Sequence, residues 1–109
     1  MKLILGLIFL GFSSSIFAYD GWSGINKVAS VRVYSHSEVL ITMPGAANPK
    51  GCSDTSYIVL RNADSEAGKR QYSALLTAYT SGKSVDLALT GCSSGGTNGW
   101  PLIEQVWLK

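Results

Sequence analysis

The sequence has few of the side chains from which active sites and metal sites are built. It contains one histidine, His36, and two cysteines, Cys52 and Cys92. A structural zinc site usually takes four ligands from His, Cys and carboxylate side chains, and one histidine with two oxidised cysteines falls short of that set. His36 lies in a turn-like cluster of serines, without the strained nucleophile turn that marks a serine hydrolase. We therefore predict that the protein is not an enzyme and that it needs no cofactor or metal.

Charge is also scarce and evenly balanced. The full sequence has nine Lys and Arg residues against seven Asp and Glu residues, with no run of like charge. Nucleic-acid binding depends on a basic surface that neutralises phosphates, and charge-driven attachment to a membrane surface depends on a basic amphipathic helix. The composition predicts neither nucleic acid nor a charged membrane surface as a partner.

Long apolar runs are missing except near residue 1. Lys2 precedes an apolar stretch over residues 3–12, and the small residue Ala18 follows a short polar segment, a pattern typical of a secretory signal peptide. The stretch is shorter than the roughly 20 apolar residues that cross a bilayer. We predict a cleaved signal peptide over residues 1–18, a single domain over 19–109, no stable membrane insertion, and a periplasmic or secreted location.

The two cysteines predict one disulfide bond. Both Cys52 and Cys92 lie beyond the predicted signal peptide, and an exported protein meets an oxidising compartment. A domain of this size is marginally stable unless it is cross-linked or assembled. In the chain-entropy model, closing this loop stabilises the fold by about 4 kcal/mol.

Alternation of apolar and polar residues predicts five strands. In the last strand the alternation is imperfect, and a bulge near Glu104 and Gln105 would let both Ile103 and Val106 face inward. The strands are predicted over residues 27–34, 38–43, 57–61, 84–90 and 102–108.

One helix is predicted between the third and fourth strands. Asp64 or Ser65 can cap its N-terminus, and Gly82 is suited to a left-handed C-terminal position. Its apolar stripe consists of residues spaced at i, i+3, i+4 and i+7, namely Tyr72, Leu75, Leu76 and Tyr79.

The element order is therefore β-β-β-α-β-β. This is the order of the OB-fold, a five-stranded, partly open Greek-key barrel. We expect a mainly β, OB-fold-like barrel with one helix at its end and one disulfide. An α+β sheet with the helix across one face is the alternative.

Large aromatic side chains are plentiful for so small a domain, and they indicate a binding surface. Trp22 and Trp100 each follow a glycine in loop-like segments, where an aromatic face can meet a sugar ring or a protein partner. Tyr34 and Asn98 are candidate polar partners at the same site. Trp107 lies within a predicted strand, where packing in the core or at a subunit interface is favoured.

Several segments also resemble one protein family. Residues 71–89 read QYSALLTAYTSGKSVDLAL, a helix that passes through Thr-Ser-Gly into an alternating strand, and GCS and WP precede the third and last strands. These features resemble the bacterial OB-fold toxin binding subunits of the subtilase-cytotoxin and pertussis-toxin type. They also resemble short, standalone exported proteins of uncertain role in Gram-negative bacteria.

The resemblance implies an exported module that binds a cell-surface glycan as a ring of five copies. From the residues and the resemblance together, we expect a non-catalytic binding protein that forms a homo-oligomer. The alternative is a protein-interaction domain, such as an inhibitor or an accessory subunit.

Overall fold

A computed structural model describes residues 19–109. The predicted signal peptide, residues 1–18, lies outside the described residues. Seven strands and one helix follow one another along the described chain. They are β1 (Gly21–Trp22), β2 (Asn26–Lys27), β3 (Ser30–Val33), β4 (Val39–Thr42), β5 (Ile58–Leu60), α1 (Glu66–Ser81), β6 (Ser84–Cys92) and β7 (Pro101–Leu108).

The strands form one mixed sheet in the order β1-β6-β7-β5-β4-β3, and β2 also pairs with β6. All pairs are antiparallel except β5 with β7, which is parallel. The fold is thus mainly β with one helix, as predicted, but the sheet is not closed into the expected barrel. The first predicted strand, residues 27–34, is divided in the structure. Its start belongs to β2, which pairs with β6, and its later part forms β3, which pairs with β4. No continuous strand therefore joins the β1 and β3 edges of the sheet.

The predicted irregularity in the last strand is confirmed. Ala88 pairs with Gln105 and Leu89 pairs with Ile103, which leaves Glu104 as the extra residue on β7. An extra residue switches the face to which later side chains point. As a result, Ile103 is buried and Val106 packs against the core.

The helix begins and ends where the sequence predicts. The Ser65 hydroxyl accepts a hydrogen bond from the Gly68 amide at 3.0 Å, and Gly82 adopts the left-handed conformation with φ 71°. These contacts satisfy backbone groups that an α-helix leaves unpaired at its ends.

The buried face of the helix differs from the predicted stripe. Leu75 and Ala78 are fully buried, whereas Tyr79 is 46% exposed. Gly68 is also buried, against the segment that precedes the helix, where an added Cβ would lie 2.7 Å from the Ala63 Cα. The buried positions of the helix are thus Gly68, Leu75 and Ala78, and a stripe read from large apolar residues includes only Leu75 of these three.

The core lies between the helix and one face of the sheet. On β6 the predicted inward residues Val85, Leu87 and Leu89 are all buried. They pack with apolar residues of β4, β5, α1 and β7, which are Val39, Ile41, Ile58, Leu60, Leu75, Ala78 and Ile103.

The Cys52–Cys92 disulfide is confirmed, with a Cα–Cα distance of 5.6 Å. It joins the loop before β5 to the last residue of β6. Asn48 holds the same loop, since its side chain donates to the Cys52 carbonyl at 2.8 Å and accepts from the Cys52 amide at 3.0 Å. The bond therefore anchors the segment that precedes β5.

Candidate functional site

Four side chains form a continuous row, which we call the aromatic row: Tyr34, Arg32, Tyr57 and Trp100. The Arg32 guanidinium lies 5.6 Å from the Tyr34 ring centroid and 5.9 Å from that of Tyr57. Arg32 Nη1 also donates to the Tyr57 hydroxyl at 3.2 Å. Tyr57 then meets Trp100 edge to face, with ring centroids 5.6 Å apart. An arginine between two aromatic faces adds cation–π attraction to the row.

Strand register explains why these side chains meet. Val59 of β5 pairs in parallel with Leu102 of β7. Because parallel strands run in the same direction, the residues two positions earlier, Tyr57 and Trp100, lie side by side. On the other side, Leu40 pairs with both Arg32 and Val59, which brings Arg32 across β4 towards Tyr57.

Trp100 is held firmly although it lies outside a strand. Its amide donates to the Ser93 hydroxyl at 2.8 Å, and its carbonyl accepts from the Ser93 amide at 2.8 Å. The indole Nε1 donates to the Ser56 hydroxyl at 3.3 Å. Gly99 is required next to it, because its φ is 89° and an added Cβ would collide with Ser93. The tryptophan is thus presented in one orientation.

Asp54 supports the Trp100 end of the row. Its carboxylate accepts from the Ser56 amide at 2.9 Å and from the Ser56 hydroxyl. The Ser56 side-chain and backbone hydrogen bonds, and a smaller contribution from Trp100, lower the pKa of Asp54 from its ordinary value of 3.8. The charged carboxylate therefore orders residues 54–56, which carry the hydroxyl that Trp100 contacts.

A groove of about 280 Å³ adjoins the row. It is lined by apolar side chains and by residues that carry hydroxyl groups. The apolar lining comes from Ile41, Met43, Ile58 and Pro101, and the hydroxyl groups are those of Thr42, Thr55, Ser56 and Tyr57. Tyr57 belongs to both surfaces, and Ser56 of the groove contacts Trp100 of the row, so the groove and the aromatic row form one continuous site.

Much of the groove wall depends on the disulfide-anchored loop. Asn48 lines the groove and is also the residue that holds Cys52 through both of its side-chain hydrogen bonds. Ser53 beyond the disulfide accepts from the Gly99 amide at 3.0 Å, which ties the same loop to the segment before Trp100. The disulfide therefore fixes the relative positions of the groove and the row.

The structure brings together only part of the predicted site. Tyr34, which is 55% exposed, and Trp100 belong to the same row. Asn98 is exposed two residues before Trp100, where its backbone amide donates to the Gly95 carbonyl at 2.9 Å.

Trp22 lies elsewhere and does not share a surface with Trp100. Its ring contacts Trp107, with centroids 5.9 Å apart. Trp107 lies near the end of β7, whereas Trp100 immediately precedes the first residue of β7. Roughly 20 Å of strand therefore separates the two tryptophans. Reading the two loop tryptophans as one site is therefore not supported by their positions.

Sequence reasoning missed Arg32, Tyr57 and Ser56. A signal for Arg32 was present, because alternation along the strand places Arg32 and Tyr34 on the same outward face. Nothing in the sequence indicates Tyr57, since its place beside Trp100 depends on a parallel pairing between distant strands.

Within residues 19–109, no group of three or more His, Cys, Asp or Glu side chains is placed to hold a metal ion. No helix in this part of the chain is long and apolar enough to cross a membrane.

Comparison with known proteins gives no relative. No family model matches the chain, and no curated protein or solved structure is significantly similar to it.

Proposed function

We propose that this protein is an exported, non-catalytic module that binds a glycan in the groove and against the aromatic row. The observation that carries the proposal is the continuity of the two surfaces through Ser56 and Tyr57. A sugar ring has apolar C–H faces and hydroxyl edges. It needs flat apolar area together with nearby hydrogen-bonding groups, and this site offers both.

The size and charge of the site favour a small, polar ligand unit. A groove of about 280 Å³ is just below the usual range of ligand pockets, which starts at about 300 Å³, so it suits a small unit such as a sugar ring. Arg32 supplies a cation within the row and Asp54 an anion beside its Trp100 end, so no single charge dominates.

Membership in the OB-fold toxin binding subunits is part of the proposal. The family part rests on the sequence resemblance alone. The sheet edges support only the OB-fold part, because β1 and β3 come from one N-terminal segment that pairs with β6 at its start and with β4 at its end. A partly open Greek-key barrel has neighbouring edges of this kind. In such a protein a ring of copies would raise the weak affinity of one shallow sugar site through avidity.

The indole N–H signals in ¹⁵N spectra test ligand binding at this site. The chain has three tryptophans, so three indole signals report on Trp22, Trp100 and Trp107 separately. We expect at least one sugar from a panel of neutral and acidic mono- and disaccharides to shift the Trp100 signal saturably and leave Trp107 unchanged. If every sugar leaves Trp100 unmoved, or if only Trp22 and Trp107 respond, the site is wrong and the protein-partner alternative is favoured.

A further inference from the structure

A second aromatic cluster lies at the far end of β7 from the aromatic row. It consists of Tyr19, Trp22 and Trp107, which we call the Trp22–Trp107 cluster. Ring centroids are 5.3 Å apart for Tyr19 and Trp22, and 5.9 Å apart for Trp22 and Trp107. Trp107 is 54% exposed, so the cluster opens to solvent.

The central strand β6 brings the rings together on the outer face of the sheet. Trp22 of β1 is opposite Ala88, and Trp107 of β7 is opposite Asp86. Positions 86 and 88 point away from the core, since the residues between and beside them face inward. Ala88 is nevertheless completely buried, between its cross-strand partners Trp22 and Gln105.

A cation already lies over one ring of the cluster. The Lys109 Nζ lies 3.2 Å from the centroid of the Trp107 ring. The Lys109 amide donates to the Ser84 carbonyl at 2.9 Å, which places its side chain beside the ring. The face of an indole carries the negative part of its quadrupole and attracts cations.

A carboxylate adds to this preference for positive charge. Asp86 stands directly opposite Trp107, at the separation of about 5 Å between Cβ atoms that is usual for cross-strand pairs. Its Oδ1 accepts from the Gly24 amide at 3.0 Å, so the side chain is held in place. The cluster therefore combines three aromatic rings with a fixed negative charge.

We propose that the Trp22–Trp107 cluster binds a quaternary ammonium group of the choline type, in the position that the Lys109 ammonium occupies. A lysine ammonium is strongly hydrated and loses water contacts on an aromatic surface. A quaternary ammonium has no N–H donors to deprive of water, so it can lie over the exposed face of Trp107 with Trp22 beside it, and aromatic side chains are the usual receptors of such groups. This site is separate from the groove and does not depend on the proposed glycan binding.

Choline titration at constant ionic strength, followed by the indole signals, tests the proposal. We expect choline to shift the Trp22 and Trp107 signals saturably and leave Trp100 unmoved. The neutral isostere 3,3-dimethyl-1-butanol, which has the same shape without the charge, should bind about tenfold more weakly or not at all.

Two variants sharpen the test. Lys109→Met keeps the aliphatic stem but removes the competing ammonium, so it should tighten choline binding about threefold or more. Trp107→Leu should abolish the choline-induced shift of Trp22. Equal binding of choline and its neutral isostere would overturn the proposal. So would the absence of a saturable shift in Lys109→Met at about 100 mM choline, where even a weak cation–π site is detectable.

Discussion

At the scale of single residues, burial separates the two neighbouring leucines of the helix. Leu75 is fully buried against the sheet, whereas Leu76 is only half-buried. Leu75→Asp places an unpaired charge in the core and should prevent folding, a loss of about 4 kcal/mol or more. Leu76→Asp should be less damaging. The exposed change Lys69→Ala should stay within about 0.5 kcal/mol of the wild type. Urea denaturation followed by tryptophan fluorescence measures all three, and equal effects for the two leucine variants would show that the helix face is misplaced.

The hydrogen bonds of the Asp54 carboxylate make the stability of the segment beside Trp100 depend on pH. Its pKa is lowered in the folded protein by the Ser56 hydrogen bonds, so its contribution to stability is complete above the ordinary value of 3.8. That contribution is lost as the pH falls below 3.8 through the lowered pKa of the folded state.

We therefore expect the wild type to be more stable than Asp54→Asn at neutral pH, with a difference that shrinks as the medium is acidified below 3.8. Thermal melts of both proteins across this range provide the measurement. A difference that grows on acidification would mean that the carboxylate is not stabilised by Ser56.

At the scale of elements, the close approach of the helix to residues 62–63 gives a clear test. In an exposed helix, Gly→Ala usually stabilises by about 1 kcal/mol. At Gly68 an added methyl would lie 2.7 Å from the Asn62 carbonyl carbon and collide with its oxygen. Gly68→Ala should therefore destabilise by about 2 kcal/mol through overpacking.

Ser73→Ala on the exposed side of the same helix is the control for Gly68→Ala. It should be neutral or slightly stabilising in the same denaturation experiment. A Gly68→Ala protein as stable as the control would contradict the described packing.

The disulfide joins the loop before β5 to the end of β6 and anchors the loop that lines the groove. Replacing both cysteines, Cys52→Ser with Cys92→Ser, should reduce the free energy of unfolding by about 4 kcal/mol. If the variant still folds, the Asn48–Cys52 loop loses its covalent anchor, so ligand affinity at the groove should fall as well. Calorimetric melts of oxidised and variant protein measure the first effect. Unchanged melting would show that the loop is held by its hydrogen bonds alone.

Local patterns in the sequence predicted most of the helix and strand positions. They did not predict which distant strands pair with one another. The Ser65 cap, the Gly82 stop and the Glu104 bulge each follow from a few neighbouring residues. The open sheet and the parallel β5–β7 pair depend on which strands meet, and periodicity carries no information about that. The site shows the same limit, since Tyr34 and Trp100 were found as exposed aromatics while Tyr57, which joins them, was not.

At the scale of the whole molecule, the ring proposal makes a prediction about mass. A site formed by one groove and one row binds weakly alone, so the proposed function requires several copies held together. Light scattering of the purified protein should give the mass of an oligomer, five copies by the family resemblance. A monomer at all concentrations would remove the avidity argument and favour a protein partner over a glycan.

The most direct test of the central claim is a glycan array probed with the wild type and two matched variants. Tyr57→Leu removes the ring that joins the groove to the aromatic row, and Tyr79→Leu removes a tyrosine that is 46% exposed on the helix. We predict that the wild type and Tyr79→Leu bind the same glycans and that Tyr57→Leu binds none of them. Equal binding by all three proteins, or no binding by the wild type, would contradict the proposed site.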